Sequence, residues 1–195
     1  MSNQAASFYN RFSFFYPIIE VFLKPQKVKL MEEINTLASG KLLEVGVGSG
    51  THLPLYQTHQ ITGIDISSAM LNEAEKHKQS DTILLKMSGE DLQFEDDYFD
   101  YVVLSHVLAV ASNPEKLLEE VYRVLKPNGK VLILNHFTTN NWLRYIDTAF
   151  NSISGLFHFN SLFKIESFNA IKKFTLIKEV GFGRFSYFKL LIFNK

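Results

Sequence analysis

The sequence predicts an α/β protein with a mainly parallel central sheet and helices on both of its faces. Short apolar segments alternate with amphipathic helical segments along most of the chain, which is the pattern of consecutive βαβ units. A glycine-rich turn follows the first apolar segment, as at many strand-to-helix junctions. The segment Tyr101–Ser105 is apolar throughout, as expected for a strand covered on both faces. With 195 residues, the chain can build one domain with a full hydrophobic core.

The strands are predicted where short apolar runs lie between turn residues. In chain order, these predicted strands are Lys41–Val45, Gln60–Asp65, Thr82–Lys86, Tyr101–Ser105 and Lys130–Leu134. Residues 126–129, Lys-Pro-Asn-Gly, predict a turn directly before the fifth strand.

The helices are predicted from capping residues and from apolar spacing. They begin near Pro17, near Thr51, at Ser67 or Ser68, and at Pro114. The first extends to about Leu37 and is predicted to be interrupted near Pro25, because proline removes a main-chain donor. Pro114 occupies the favoured first turn of its helix, and apolar residues then recur at helical spacing.

The C-terminal region predicts a helix over 165–180 that ends at Gly181. Only a short antiparallel hairpin can follow, with strands at 184–187 and 189–193, unless one strand is lost. The predicted organisation is therefore a single domain over 1–195. Its parts are an aromatic helical cap at 1–38, a core at 41–136 that binds a cofactor, a substrate-covering insertion at 137–168, and a C-terminal helix and strands at 169–195.

Composition excludes several classes of function. Lysine plus arginine equals aspartate plus glutamate at 20 each, so there is no overall positive field and no nucleic-acid partner is expected. Cysteine is absent, which excludes disulfides and thiolate chemistry, and the scattered histidines predict no metal site. No signal peptide and no membrane-spanning run is visible, so a cytoplasmic protein is expected.

The most informative motif joins the first two predicted strands. Residues 42–50 read Leu-Leu-Glu-Val-Gly-Val-Gly-Ser-Gly, and the second strand ends in Asp65. Glycines allow a sharp turn with the backbone against a ligand, and an acidic residue at the end of the next strand can accept ribose hydroxyl protons. The motif points to S-adenosylmethionine. The alternatives are an ordinary tight turn and a dinucleotide site, but the glycines run G-x-G-x-G rather than G-x-G-x-x-G.

Five segments in the same order and at similar spacing resemble the class I S-adenosylmethionine-dependent methyltransferases. They are Leu43–Gly50, Gly63–Ser67 with Met70-Leu71, Glu90–Leu92 with Phe94, Phe99–Val103 and Arg123–Lys130. The resemblance extends from about Lys41 to His136. It implies a Rossmann-like fold and an enzyme that converts S-adenosylmethionine to S-adenosylhomocysteine.

The resemblance also implies the residues that bind the cofactor: Glu44, Gly46, Gly48, Gly50, Asp65, Ile66, Met70, Ser88, Gly89, Glu90 and Ser105. Glu44 either orients the glycine loop or meets the ammonium group of the ligand. Ser88 stands where the family often has aspartate. It either binds the exocyclic amine of adenine more weakly than a carboxylate would, or leaves that contact to the backbone.

A narrower resemblance concerns the methyl acceptor. Three parts of the chain are similar to bacterial phosphatidylethanolamine N-methyltransferases of the purple-bacterial type: Tyr9–Pro17, Glu44–Leu55 with the run His52–Tyr56, and the strand end Leu134–Phe137. That resemblance implies methylation of a phospholipid amine, yielding methylated derivatives up to phosphatidylcholine. The alternative is a soluble small-molecule or quinone-precursor methyltransferase, and a third interpretation is a non-enzymatic sensor of S-adenosylmethionine.

Aromatic residues crowd the first 22 positions and the region 142–168. The N-terminal rings, with lysines and Arg11 between them, predict either docking on the inner membrane surface or a cap over the site. Arg144 is a candidate contact for the lipid phosphate, and the alternative is a solvated surface residue.

Methyl transfer to an amine needs the amine neutral and aligned with the methyl group. The residues predicted to orient the amine or accept its proton are Tyr9, Tyr16, His106 and His136. Tyr9, Tyr16 and His136, together with Arg144, are also predicted to bind the substrate, and aromatic faces can hold a methylated ammonium. For each histidine the alternative is a structural role.

Overall fold

The computed structural model describes residues 16–136, 165–182 and 188–195, and it describes the side chains of these residues apart from 16–25, 136 and 166. Its centre is a seven-stranded sheet in the order β3-β2-β1-β4-β5-β7-β6. The strands are β1 (Lys41–Val45), β2 (Gln60–Asp65), β3 (Ile83–Lys86), β4 (Phe99–Ser105), β5 (Leu125–His136), β6 (Thr175–Phe182) and β7 (Phe188–Asn194).

The first five strands pair in parallel, and β7 pairs antiparallel with both β5 and β6. The order reverses at β1, from which the chain moves outward first through β2 and later through β4. Ligands of open α/β sheets bind beyond the carboxyl ends of the strands at such a switch point. The predicted α/β class, the parallel sheet and the C-terminal antiparallel hairpin are confirmed.

The helices are α1 (Tyr16–Asn35), α2 (Ser68–Ala74) and α3 (Pro114–Val124). Ser67 caps α2 by accepting a hydrogen bond from the Met70 N–H, and Asn113 caps α3 in the same way. A 3₁₀ turn at Leu53–Leu55 takes the place of the helix predicted near Thr51. The helix α1 continues through Pro25, so the predicted interruption is wrong. One missing main-chain donor is tolerated where the turns on both sides keep their own hydrogen bonds.

Two hydrophobic clusters cover the two faces of the sheet, as the parallel strands predict. Leu117, Leu118 and Val121 of α3 belong to one cluster. The other cluster includes Leu30 and Ile34 of α1, together with residues of α2. Helices therefore cover both faces, and the core positions recur at helical spacing along α1 and α3.

The direction of α1 is fixed by contacts at its C-terminal end. His59 Nε2, just before β2, lies 3.1 Å from the Ile34 carbonyl oxygen, and Asn35 Nδ2 donates to the Leu55 carbonyl. The chain then enters β1 at Lys41. Hence α1 runs antiparallel to β1. Its 20 residues extend about 30 Å, which exceeds the roughly 17 Å of a five-residue strand. Its N-terminal half therefore reaches the carboxyl edge of the sheet.

The predicted helix over 165–180 is wrong. The chain forms 3₁₀ turns at Ile165–Ser167 and Ala170–Lys173 and then β6, which pairs with β7 from Thr175 to Phe182 except for an irregularity between Leu176 and Lys178. The apolar residues Leu176, Ile177 and Val180 fit helical spacing, but the first two are exposed at the sheet edge. Main-chain hydrogen bonds to β7 hold this segment as a strand. The spacing of apolar side chains carries no information about such pairing, so it predicted a helix instead. Of the two predicted hairpin strands, the second matches β7, and 184–187 lies outside the described residues.

The fifth strand also begins earlier than predicted. Leu125 pairs with Phe99, and pairing resumes five residues later, where Lys130 pairs with Tyr101. The predicted turn at 126–129 is the irregular stretch between these pairs. Asn128 within it has a φ of 65°, the left-handed conformation that asparagine tolerates. A local turn can therefore lie inside a strand when the same strand continues on both sides of it.

Candidate active site

The glycine loop after β1 takes left-handed backbone angles at each of its three glycines. The φ values are 72° at Gly46, 58° at Gly48 and 68° at Gly50. A Cβ atom at Gly46 would lie 2.4 Å from Val107 Cγ2, and one at Gly50 would lie 2.7 Å from the Cβ of Ala74. The loop therefore needs glycine both for its conformation and for its packing on the loop after β4 and on α2.

A buried cluster of three polar side chains lies beneath this loop. Glu44 is 1% exposed, and His52 Nε2 lies 2.7 Å from its Oε1. Tyr56 OH donates to Glu44 Oε2 at 2.8 Å. Burial works against ionisation of Glu44, but His52, Lys27 and Tyr56 outweigh it and lower the pKa of this carboxyl. Burial, followed by the charge and hydrogen bond of Glu44, raises the pKa of Tyr56 well above its usual value.

Glu44 therefore ties β1 to both ends of the 52–56 segment. Of its two predicted roles, this geometry favours the one in which Glu44 orients the loop, since both of its oxygens already accept hydrogen bonds from the chain. The Tyr56 contact was not predicted. The signal for it was present in the sequence as a tyrosine four residues after a histidine in the same loop.

Asp65 lies at the end of β2 and faces the glycine loop. Its Oδ2 accepts from the Gly48 N–H at 3.0 Å, and its Oδ1 accepts from the Ser67 N–H at 2.8 Å. Each oxygen keeps a second lone pair for a ligand hydroxyl. Burial is the main cause that raises the pKa of Asp65, and the charge of Glu44 raises it further. The N–H groups of Ser67, Gly48 and Ile66 offset part of this rise.

Predicted ligand-binding residues of the loop after β3 form hydrogen bonds that help to hold this loop. Ser88 Oγ accepts from the Glu90 N–H at 3.2 Å, and Glu90 Oε1 accepts from the Asn113 N–H at 2.9 Å. A Cβ at Gly89 would lie 2.5 Å from Leu117 Cδ1. These contacts place the loop beside β1 and α3.

Two more predicted cofactor residues flank the turn after β2: Ile66 is half-buried and Met70 is buried.

Ser105 and His106 lie at the carboxyl end of β4. The Ser105 hydroxyl oxygen is buried and has no hydrogen-bond partner among the described residues. His106 has a φ of 59°, and its N–H donates to the Leu134 carbonyl at 2.8 Å. Its ring meets Phe188 edge-on, with centroids 5.7 Å apart. Phe188 is also the β7 residue opposite His136. The His106 ring and the backbone of position 136 therefore both lie next to Phe188, at the carboxyl ends of β4 and β5.

The remaining predicted residues cannot be placed in this site. Tyr9 and Arg144 lie outside the described residues, and so do both aromatic regions for the most part. Tyr16 begins α1 and His136 ends β5, but their side chains are not described. The roles assigned to these residues remain predictions.

Sequence reasoning did not single out Asn135, which lies at the end of β5 next to His136. Its side chain is 1% exposed, and neither amide atom has a hydrogen-bond partner among the described residues. A buried polar group without a partner costs free energy, so such a residue at a strand end marks a place where a ligand or another segment contributes. The only sequence signal was the polar Asn-His pair that ends an otherwise apolar strand.

These residues fit S-adenosylmethionine, judged on their chemistry. A carboxylate at the end of β2 keeps free acceptor capacity for ribose hydroxyls. The loop after β1 exposes main chain rather than side chains, as a close ligand requires. No lysine or arginine lies in residues 46–59, so the loop lacks the lysine with which a P-loop binds the β- and γ-phosphates of a nucleoside triphosphate.

Comparisons with known proteins agree with this assignment. Residues 43–133 match a family model described as a methyltransferase domain. The phosphatidylethanolamine N-methyltransferase of Cereibacter sphaeroides is 32% identical over 164 residues, which cover 80% of each chain. A demethylmenaquinone methyltransferase of Oceanobacillus iheyensis is 32% identical over 113 residues, which cover 53% of this chain and 48% of the relative.

Among solved structures, a possible histamine N-methyltransferase of Thermotoga maritima has the same fold. The TM-score is 0.75 at 21% identity, covering 97% of this chain and 99% of the other. In the part of the chain that the structure describes, no helix is long and apolar enough to cross a membrane.

Proposed function

This chain belongs to the class I S-adenosylmethionine-dependent methyltransferases, and on that premise we propose that its methyl acceptor is the amine of a phosphatidylethanolamine headgroup, reached at a membrane surface. The observation that carries the proposal is the extent of the match to the Cereibacter enzyme. That match covers 164 residues, whereas the family model covers residues 43–133. It therefore includes flanking segments, and in this fold class acceptor specificity resides outside the cofactor core.

The described residues can perform the binding part of the reaction. Asp65 accepts ribose hydroxyls, and the buried Glu44–His52–Tyr56 cluster keeps the glycine loop in its ligand-binding conformation. When bound, S-adenosylmethionine supplies a methyl group on a positively charged sulfur. The protein's contribution is chiefly to hold the acceptor nitrogen in line with that methyl group.

The acceptor nitrogen must be neutral to attack, so an ammonium headgroup has to lose a proton. Under the proposal, the His106 ring at the carboxyl end of β4 orients the amine or takes this proton, with His136 on the neighbouring strand end as the second candidate. Tyr9, Tyr16 and Arg144 complete the proposed acceptor site. Arg144 would contact the lipid phosphate.

Membrane contact is part of the same proposal. The N-terminal half of α1 reaches the carboxyl edge of the sheet, so the aromatic segment that precedes it starts from the side where the acceptor has to enter. Rings placed at headgroup level, with lysines beside them, would hold the enzyme as a peripheral protein on the inner membrane surface.

A radiolabel assay tests the substrate. We expect purified protein, given labelled S-adenosylmethionine and vesicles containing phosphatidylethanolamine, to place label in mono-, di- or trimethylated headgroups. Vesicles of phosphatidylglycerol alone are the matched control and should take no label. If S-adenosylhomocysteine binds normally but no lipid is labelled, the lipid proposal is wrong.

Vesicle sedimentation tests the membrane contact. A Phe12→Ser/Phe15→Ser variant is expected to lose vesicle binding while it keeps its affinity for S-adenosylhomocysteine. Leu176→Ser is the control, because Leu176 is exposed on the edge strand β6, at the far end of the sheet order from β3. Equal sedimentation of all three proteins would argue that the N-terminal rings cap the site instead.

The quinone-precursor alternative is favoured by one observation, the match to the demethylmenaquinone methyltransferase. That match covers about half of each chain, so it extends less far into the flanks than the lipid-enzyme match. The same labelled assay with a demethylated quinol in detergent separates the two substrates.

A further inference from the structure

One half-buried lysine of α1 lies in line with the buried residues of that helix. Residues 27, 30, 31 and 34 follow one another at helical spacing, and Leu30, Met31 and Ile34 are all buried. Lys27 continues this stripe by one turn and is half-buried. A lysine is unusual on a face that packs against a hydrophobic cluster, because its charge must either find a partner or reach solvent.

The direction of α1 places Lys27 toward the carboxyl edge of the sheet. Ile34 lies near the start of β2, and Lys27 is seven residues earlier, about 10 Å along the helix axis. The side chain is close enough to the glycine loop for its charge to act on the buried Glu44. Lys27 therefore lies on the side of the sheet where the cofactor binds.

The loops at the carboxyl ends of the first four strands contain no basic side chain. Neither lysine nor arginine occurs in the segments after β1, β2, β3 and β4, which are residues 46–59, 66–67, 87–98 and 106–113. Glu44 also has little need of a further partner, since His52 and Tyr56 already donate to both of its oxygens. Among the described residues, no carboxylate forms an ion pair with Lys27.

Bound S-adenosylmethionine would bring a carboxylate to this place. With its ribose on Asp65 at the end of β2 and its methyl group toward an acceptor near Ser105 and His106 at the end of β4, its amino-acid portion would lie across the end of β1, on the side of the N-terminal half of α1. A carboxylate there requires a cation or several N–H donors.

We infer that Lys27 binds the carboxylate of the methionine portion of S-adenosylmethionine, so that α1 supplies a cation which the loops after the first four strands lack. This contact makes α1 part of the cofactor site. It also links cofactor binding to the position of the helix that precedes the glycine loop. The inference rests on the cofactor alone and holds whichever acceptor is methylated.

Isothermal titration with two ligands tests the contact directly. The probes are S-adenosylhomocysteine and its decarboxylated analogue, which lacks only the carboxylate. We expect Lys27→Gln to weaken S-adenosylhomocysteine about tenfold, the usual loss of a charged hydrogen bond, and to leave the analogue unchanged. Lys27→Arg should restore part of the preference for the carboxylate.

Lys29→Gln is the matched control. Lys29 lies on the same helix but pairs with Glu32 at 2.8 Å on the outer side, and its side chain is 43% exposed. This variant should bind both ligands as the wild type does. Urea unfolding of each variant without ligand shows whether the fold is intact, and the Lys27→Arg variant keeps the test usable if Lys27→Gln is unstable.

Two results would overturn the inference. If Lys27→Gln weakens both ligands equally, Lys27 acts through Glu44 and the loop rather than on the carboxylate. If it leaves both affinities unchanged but reduces sedimentation with vesicles of phosphatidylethanolamine and phosphatidylglycerol, its anion is a lipid phosphate. A failure to label phosphatidylethanolamine would affect the proposed acceptor and neither of these readouts.

Discussion

At the scale of single residues, the site is built from carboxylates with opposite electrostatic surroundings. Glu44 is deeply buried yet ionised, because His52 and Tyr56 donate to it. Asp65 has mainly backbone donors, and burial leaves its pKa above the usual value. The first carboxylate supports the loop from below, and the second is left with capacity to bind a ligand.

Asp65→Asn is expected to weaken S-adenosylhomocysteine binding by more than tenfold, because an amide offers one acceptor oxygen instead of two and carries no charge. In the wild type, the affinity should fall as the pH drops through the raised pKa of Asp65, since the protonated carboxyl accepts less well. Titration calorimetry across that acidic range measures both effects. Glu73→Gln, an exposed carboxylate paired with Lys76, is the control. A pH dependence that survives in Asp65→Asn would assign it to another group.

Tyr56→Phe is expected to lower the free energy of unfolding by about 1–3 kcal/mol, because it leaves a buried oxygen of Glu44 without its donor. Urea unfolding measures this loss. Tyr98→Phe, at a half-exposed ring, should stay within about 0.5 kcal/mol of the wild type. Equal losses in the two variants would mean that the hydroxyl bond to Glu44 contributes nothing specific.

Glu44 also makes the free energy of unfolding depend on pH. Its pKa in the folded protein is lowered, so its contribution is present above the unfolded value of 4.5 and is lost as the pH falls from there through the folded value. Asp65 acts in the opposite sense, because its pKa in the folded protein is raised. Its contribution to stability is present below the unfolded value of 3.8 and is lost as the pH rises from there through the folded value.

At the scale of elements, one arginine joins the loop after β3 to α3. Arg123 donates to the carbonyl oxygens of Leu92 and Phe94 at 2.7 Å, and it pairs with Glu120 and Asp96 at 2.8 Å. The same loop carries the predicted adenine contacts. An arginine in the predicted helix thus fixes a ligand loop about 30 residues earlier in the chain.

Arg123→Ala is expected to cost about 2–3 kcal/mol of stability, because charged hydrogen bonds to partly buried groups are lost together. Hydrogen exchange should speed up in residues 92–96 more than elsewhere. Lys76→Ala removes an exposed pair with Glu73 on α2 and should change neither quantity measurably. Uniform acceleration of exchange over the whole sheet would show that Arg123 acts on global stability and not on this loop.

At the scale of the whole molecule, the antiparallel pair β6 and β7 completes the sheet. Leu190 on β7 is fully buried and belongs to the same cluster as Leu132 and Leu134 of β5. On β6, by contrast, Ile177 is 49% exposed at the sheet edge. The inner strand of the hairpin therefore contributes to the core, while the outer strand is held mainly by main-chain pairing.

Leu190→Ala is expected to lower the free energy of unfolding by about 2–5 kcal/mol through lost burial and a residual cavity. Ile177→Ala should cost no more than about 0.5 kcal/mol. Urea unfolding with both variants checks the pair. If Ile177→Ala is as costly as Leu190→Ala, the residues around 177 pack against the core, as the originally predicted helix would require.

The sequence by itself determined the fold class, the parallel strands and the cofactor. Strand-to-helix alternation, the glycine spacing and Asp65 at a strand end are local signals, because each reports on a turn or on the periodicity of a short segment. The five segments that resemble class I methyltransferases, in the same order and at similar spacing, were enough to identify the methyltransferase fold, and the comparisons confirm it.

The tertiary structure alone decided what depends on contacts between distant segments. It turned the predicted helix at 165–180 into an edge strand, because pairing with β7 outweighs helical spacing of a few apolar residues. It joined Glu44 to Tyr56 by a hydrogen bond and buried the Asn135 amide with no partner among the described residues. It also set the direction of α1, which brings Lys27 nearer to the carboxyl edge of the sheet than Ile34. Burial, pairing and direction are properties of the packed chain, and a linear pattern does not contain them.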